Sequence, residues 1–318
     1  MTDTMVTVCV ITYNQEKWIR QTLDSILAQQ TDYTYEIIIG EDHGSDNTRT
    51  ICQEYADKYG NVTLLPKREN LGVTANWIQC IQAGSGKYIM TCDGDDWWHN
   101  RKKIQLQVDF MEAHPECVIC HTDNDEFYER TGTTRKSIKR AQRVDPPEGK
   151  IQYHILHGKE NITSVTTCIR RSTFDEHIPV EEFIRRRFPR EDWPTMLILS
   201  AYGDIRYIPV STATYRVENE SITRTSDYDT IIKRAQQDKD MTIYLHTLFP
   251  EWGPFKDEPY FNNIGYHNAM IAAYRNNDYA SAHTFAKMDK YPNKATHMAH
   301  FWITFKLMRW IKLMRHTL

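Results

Sequence analysis

The first 120 residues switch between two hydrophobic periods, and few folds accept that pattern. Val6–Thr12 (VTVCVIT) is a β-branched apolar run without polar alternation, the mark of a strand buried on both faces. The next stretch, 17–29, places Trp18, Ile19, Leu23, Ile26 and Leu27 at helical spacing. The same alternation predicts further strands at 36–40, 62–65, 87–92 and 117–121. Helices are predicted at 46–59, capped by Asp46, and at 72–83 and 104–113. This order implies an α/β fold, a mostly parallel sheet with helices on both faces.

Past residue 121 the pattern loosens. Residues 128–150 are polar, carry Arg135, Lys136, Lys139, Arg140 and Arg143, and run into Pro146-Pro147, so a mobile surface loop is expected. A strand returns at 164–169, a helix at 194–201, and short strands at 205–209 and 212–215. From about Ser226 the period is helical to the end, with a break around 250–259. The expected organisation is a sheet domain over 1–225 and a helical C-terminal region over 226–318.

Composition enters through charge. The 39 Lys+Arg and 42 Asp+Glu give a net −3, which argues against a chain that wraps nucleic acid. No acid follows Asp289, whereas Lys290, Lys294, Lys306, Arg309, Lys312 and Arg315 do, so 1–289 carries −9 and 290–318 carries +6. On a helix the last 18 residues (FWITFKLMRWIKLMRHTL) put Ile303, Leu307, Trp310, Ile311 and Met314 on one side. Lys306, Arg309, Lys312, Arg315 and His316 occupy the other, as in helices that lie in a membrane interface. The bland alternative is a terminal helix docked on its own domain. No stretch of about 20 apolar residues free of charge occurs, so no spanning helix is expected. Residues 1–5 lead into no basic n-region and long apolar segment, so no secretion signal is expected. Seven scattered Cys fit buried thiols in a reducing compartment. Cys117 and Cys120, with no second pair, read as strand residues rather than a zinc site.

Ligands of doubly wound sheets bind beyond the carboxyl ends of the strands. Those positions hold Thr12-Tyr13-Asn14, then Glu41-Asp42-His43-Gly44-Ser45-Asp46, then Asp93-Gly94-Asp95-Asp96. Asp46 is explained as a helix cap. Three carboxylates within four residues repel one another, and a cation is their natural compensation. The chain has neither a G-x-x-x-x-G-K-[ST] loop nor a G-x-G-x-x-G after its first strand, so phosphate binding there would run through a divalent ion. A D-x-D turn supplies one: a carboxylate reaches Mn²⁺ or Mg²⁺, and the ion grips a diphosphate.

The stretches VTVCVITYNQEKWIRQTLDSILAQ, EIIIGEDHGSDNT and NLGVTANWIQCIQAGSGKYIMTCDGDDWW resemble glycosyltransferase family 2, which has the GT-A fold. The likeness continues through KIQLQVDFMEAHPE and REDWPTMLILSAYGDIRYIPVSTATYRVENESIT and covers about residues 5–224. It implies that Thr12, Tyr13 and Asn14 line a base pocket. Glu41, Asp42 and Arg68 would contact the nucleotide, as would Asp93 and Gly94. Asp95 would hold Mn²⁺ or Mg²⁺. Asp96, Trp97, Glu191 and Arg216 would stand near the donor sugar or the acceptor. Asp192 falls where the family keeps its catalytic base, although Glu191 and Asp192 could also cap the helix that begins beside Pro194.

Two departures qualify the likeness. His43 replaces a small residue, and after Tyr215-Arg216 the register offers Glu218 where many relatives place a metal-binding His. The Q-x-x-R-W motif of processive synthases is absent, which favours transfer of one sugar. The implied activity is inverting transfer from a nucleotide-sugar, a UDP-sugar by family habit, to a glycan or polyprenyl-diphosphate-linked acceptor. Such work suits bacterial surface polysaccharide assembly by a cytoplasmic enzyme peripheral to the inner face of the membrane. The alternatives are a sugar nucleotidyltransferase, which would want a Gly-rich basic loop after the first strand, and a non-catalytic glycan- or membrane-binding module.

Overall fold

The computed structural model describes residues 4–66, 69–142, 146–156, 160–218, 227–252 and 258–289. Arg68, Arg143 and the basic stretch 290–318 lie outside the described residues. The chain forms two compact units, Met1–Glu218 and Asn219–Leu318.

The first unit opens with β1 (Val6–Thr12), α1 (Ile19–Leu27), β2 (Tyr35–Glu41), α2 (Thr48–Lys58) and β3 (Val62–Leu64). There follow α3 (Val73–Ala83), β4 (Tyr88–Thr91), α4 (Lys103–Ala113), β5 (Cys117–Tyr128), β6 (Thr133–Arg135), α5 (Ile138–Ala141) and α6 (Gln152–Leu156). It closes with β7 (Thr167–Arg170), α7 (Arg171–His177), α8 (Val180–Arg185), α9 (Asp192–Leu199) and β8 (Asp204–Val217). The sheet order is β3-β2-β1-β4-β7-β5-β6, with β8 beside β5. All seven residues of β1 are buried, as its continuous apolar run predicts. Val6, Val8 and Val10 join Ile37, Ile39 and Met90 of the sheet and Ile19, Leu23 and Ile26 of α1 in one core.

The pairing β3-β2-β1-β4 is parallel throughout. β7 then enters antiparallel between β4 and β5, so the sheet is mixed. Arginines at its end fix it there: Arg170 donates to the carbonyls of Cys117, Met111 and His114, and Arg171 to those of Gly86 and Ile81. The strand expected from 164 begins only at Thr167. The Thr166 and Thr167 hydroxyls bond back to the carbonyls of Thr163 and Ser164 and tighten Ser164–Thr166 into a 3₁₀ turn.

The two short strands expected at 205–209 and 212–215 form one, β8. Its register against β5 jumps from Thr122↔Ile208 to Asp123↔Ser211. Pro209, which interrupted the sequence pattern, sits in that irregularity, where a missing N–H costs no ladder bond. The region expected to be a mobile loop after 128 holds β6 and α5 instead. Asp123 accepts from the backbone N–H groups of Lys139 and Arg140, and Asp125 from that of Ser137. Cys117 and Cys120 are buried, free thiols within β5.

The second unit holds α10 (Tyr228–Leu248), α11 (Glu258–Arg275) and α12 (Tyr279–Met288). Asp227 caps α10 by accepting from the Thr230 N–H, and Asp278 caps α12 by accepting from that of Ser281. Among the described residues no helix is long and apolar enough to cross a membrane.

Candidate active site

The Asp93-Gly94-Asp95-Asp96 turn follows β4 directly and is held from three sides. The Gly94 N–H donates to the Ile11 carbonyl at 2.9 Å, which prolongs the sheet pairing into the turn. A Cβ on Gly94 would lie 2.5 Å from both Gln15 Oε1 and Thr12 Oγ1, so only glycine fits without displacement. From α1, the Thr22 hydroxyl reaches the carbonyls of Gly94 (2.9 Å) and Asp96 (2.6 Å). From β8, the Arg216 N–H donates to Asp96 Oδ1 at 2.8 Å and its Nε–H to the Asp95 carbonyl at 2.8 Å. Gln15 favours the charged form of the Asp95 carboxylate and accepts from the Thr12 hydroxyl at 2.8 Å.

The electrostatics fit a cation site. Burial pushes the Asp93 carboxyl up to about 8, and Asp95 and Asp192 add repulsion. Asp96, 1% exposed, is raised well above the usual carboxylate range by burial and then by Asp95 and Asp93. Burial also raises Asp95, against Arg216 and Gln15, which favour its charge. Glu191 is raised by burial and by Asp192 and Asp93, and Glu218 goes up to about 7 through burial and Asp95. Asp93, Asp95, Asp96, Glu191, Asp192 and Glu218 thus feel one another. Asp93 Oδ1 and Asp96 Oδ2 are buried without a hydrogen-bond partner. Hard oxygen donors with orphaned atoms suit Mn²⁺ or Mg²⁺. Among the described residues no group of three His, Cys, Asp or Glu side chains makes a ready metal cage. An ion held between protein and diphosphate needs only one or two carboxylates from the protein.

Asp192 opens α9 and accepts from the Trp193 N–H at 2.7 Å. A carboxylate in a first helical turn is stabilised as the anion by the helix dipole. The Trp193 indole donates to the Ile155 carbonyl, which ties the start of α9 to α6.

The remaining rim residues do more bracing than the sequence suggested. Tyr13, 45% exposed, is open to a ligand. Asn14, at φ 53°, accepts from the Ser45 N–H. Glu41 accepts from the Gly44 N–H and pairs with Arg49, so it shapes the 43–46 loop. His43 takes φ 61° within that loop. Asp42 uses one oxygen on the Leu71 N–H (2.7 Å) and the other on the Gly72 N–H (2.9 Å), which pins the entry to α3. It holds the end of β2. Trp97 bridges Thr214 and meets Phe127 edge-on, whereas Trp98 is a core residue at 2% exposure.

Gln15, Thr22, Gln21 and Glu129 serve the site and were not anticipated. Thr22 offered a signal, a polar residue inside the apolar stripe Ile19, Leu23, Ile26. A threonine there needs a buried partner. Gln21 and Glu129 offered none, since their partner Arg216 is distant in the chain, and a polar Gln15 after a strand end is not by itself a signal.

Comparison with known proteins adds ancestry. The family model described as Glycosyl transferase family 2 matches residues 7–178. The uncharacterized protein Rv1520 of Mycobacterium tuberculosis is 30% identical over 207 residues, 65% of this chain and 57% of its own. The chain therefore spans a little over half the length of that relative. The putative glycosyltransferase EpsH of Bacillus subtilis is 30% identical over 179 residues, 54% of this chain and 48% of its own. Among solved structures, S. aureus TarS 1-349 in complex with UDP-GlcNAc superposes with a TM-score of 0.54 at 15% identity, over 93% of this chain and 87% of its own. The mannosyltransferase PcManGT of Pyrobaculum calidifontis, in complex with GDP-Man and Mn²⁺, gives 0.52 at 17% identity, over 95% and 86%. At such identities the structures speak for the fold, which is the GT-A glycosyltransferase architecture. With more than half of its length under the family model, the chain belongs to glycosyl transferase family 2.

Proposed function

We propose that this chain is an inverting glycosyltransferase that moves one sugar from a nucleoside-diphosphate donor, a UDP-sugar in the first instance, to an acceptor hydroxyl. The acceptor is a glycan or a polyprenyl-diphosphate-linked sugar of bacterial surface polysaccharide assembly. One observation carries the reading: Asp192, at the start of α9, lies within electrostatic reach of the Asp93 end of the D-x-D turn. That separation of tasks, a base on one element and a diphosphate anchor on another, suits a displacement reaction. Solved GT-A neighbours in complex with UDP-GlcNAc or with GDP-Man and Mn²⁺ support the donor class, and the putative teichuronic acid biosynthesis glycosyltransferase TuaG of B. subtilis supports the acceptor class.

In this reading Tyr13 packs on the nucleobase, beside Thr12 and Asn14. Glu41 and Asp42 shape the wall of the base pocket through the loops they hold, and Arg68 adds a nucleotide contact. Asp93 and Gly94 face the ribose and diphosphate. Asp95 would hold Mn²⁺ or Mg²⁺, with Glu218 as a second carboxylate, and such an ion would supply positive charge against the negative charge that builds on the leaving diphosphate. Asp96, Trp97 and Glu191 border the space for the sugar and acceptor. The Asp192 carboxylate takes the proton of the acceptor hydroxyl. The hydroxyl oxygen bonds to the anomeric carbon from the face opposite the diphosphate, whose bond to that carbon breaks, so the configuration inverts.

Asp192→Asn is the decisive variant. Base catalysis contributes about 10²–10⁴-fold, so turnover should fall by that factor while affinity for the donor stays within about twofold. Unchanged turnover in D192N would remove Asp192 from the mechanism.

A further inference from the structure

Arg216 is extensively engaged within the site. Its side chain is 5% exposed. Nε donates to the Asp95 carbonyl, Nη1 to Glu129 Oε2 at 2.6 Å, and Nη2 to Gln21 Oε1 at 2.6 Å. Trp18, Trp97 and Phe127 surround the guanidinium, with ring centroids 5.5, 4.8 and 5.4 Å from its central carbon. Each of its three nitrogens has a partner and aromatic rings flank the guanidinium, which leaves little room for a sugar hydroxyl. Its sequence position suggested a sugar contact; its surroundings argue for a different task.

We infer that Arg216 is a positioning residue that sets the D-x-D turn for the metal–diphosphate group. This rests on the proposed donor chemistry. One residue grips two successive aspartates, Asp95 through its carbonyl and Asp96 through its carboxylate. The grip on Asp96 comes from the Arg216 main chain and survives substitution. The grip on Asp95 comes from the side chain and does not. The guanidinium also connects the turn to α1 through Gln21 and to the end of β5 through Glu129. The Asp95 main chain is thereby fixed from the Arg216 side. The aromatic cage excludes water from the guanidinium, which strengthens those bonds relative to exposed ones. Lysine cannot reproduce them, because an ammonium lacks the planar fork that reaches a carbonyl, an amide and a carboxylate together.

The test compares wild type, Arg216→Lys and Glu129→Gln in the full chain. Mn²⁺ binding is read by the loss of the free-ion paramagnetic resonance signal, with UDP or GDP present and no sugar attached. Groups that orient metal ligands typically govern about 10–100-fold in affinity. R216K should weaken Mn²⁺–nucleotide binding by about that much, and E129Q by a smaller factor of roughly 3 on the same warrant, E129Q with a thermal midpoint near wild type. A sugar-contacting arginine predicts the opposite, wild-type binding of Mn²⁺ with UDP or GDP and weakened binding only of the nucleotide-sugar. That outcome overturns the inference and leaves the proposed activity intact. A wild type that takes up no Mn²⁺ with either nucleotide overturns both. Should R216K fold poorly, E129Q decides alone, and wild-type Mn²⁺ affinity in that variant rejects the inference.

Discussion

Gly94 has less latitude than any other residue of the D-x-D turn. Its backbone lies against Gln15 and Thr12, and a methyl group there would meet their oxygens at 2.5 Å. The flexible Gln15 amide would yield first, and with it the support it gives to the charged form of Asp95. Gly94→Ala is therefore expected to cost activity beyond its cost in stability. Overpacking of this kind typically costs about 1–3 kcal/mol, or roughly 2–4 °C in melting midpoint for each kcal/mol in a unit of this size. The kcat/KM should fall by at least about tenfold if the Gln15 contact orients the ion. Calorimetry and steady-state rates on one preparation check both, and an active G94A enzyme with only a lowered midpoint would show that Gln15 is dispensable. At this scale the acids were legible in the sequence and their braces were not. Asp93 and Asp95 stand just after a strand that hydrophobic period locates, whereas Asp192 is picked out by the family resemblance. Arg216 meets Gln21 across 195 positions of chain, and no local pattern records such a pairing.

Among the elements, β5 departs most from its sequence pattern. The apolar run predicts a strand over 117–121, yet β5 continues to Tyr128 through His121, Thr122, Asp123, Asn124 and Asp125, all buried. Period reading fails there because Asp123 and Asp125 are satisfied by α5 and its approach and Thr122 by Thr212, partners that no local feature announces. The strand also carries a titratable cost. His121 is fully buried beside the Tyr207 ring, and both ring nitrogens lack a hydrogen-bond partner. Burial lowers its pKa to about 3, with the Lys139 and Lys103 ammonium groups adding to the effect. The unfolded chain binds a proton there below about 6.5 while the folded chain does not. Stability attributable to this residue is complete above the unfolded value and is lost as pH falls from about 6.5 toward 3. Between pH 7 and pH 5 the loss amounts to about 2 kcal/mol. His121→Phe keeps a flat ring and removes the proton site. Urea unfolding at pH 7, 6 and 5 should show wild type losing about 2 kcal/mol more than the variant over that span. The raised carboxylates of the site titrate in both proteins and cancel in the difference, so parallel declines would mean that His121 is protonated in the folded state.

For the whole molecule, charge separation is the feature that the family likeness leaves unexplained. The family model ends at residue 178, and the +6 segment lies well beyond it, after a stretch that carries −9. An enzyme whose acceptor sits on a lipid gains from a surface anchor, because confinement to the membrane raises the local concentration of acceptor. The segment 301–318 has the composition for one: aromatic and aliphatic residues on one projected side, cations on the other. Each Lys or Arg near an anionic leaflet contributes about 1 kcal/mol. Removing Lys306, Arg309, Lys312 and Arg315 along with the rest of 301–318 should then weaken binding to phosphatidylglycerol vesicles by roughly 10²-fold or more. Added salt at about 0.5 M should mimic the deletion, since screening shortens the reach of surface charge. Co-sedimentation with anionic and with neutral vesicles measures both effects. If the shortened chain sediments as well as the full one, the membrane affinity lies elsewhere. Equal sedimentation with neutral vesicles would instead assign the binding to the apolar side of the segment and remove its positive charge from the account.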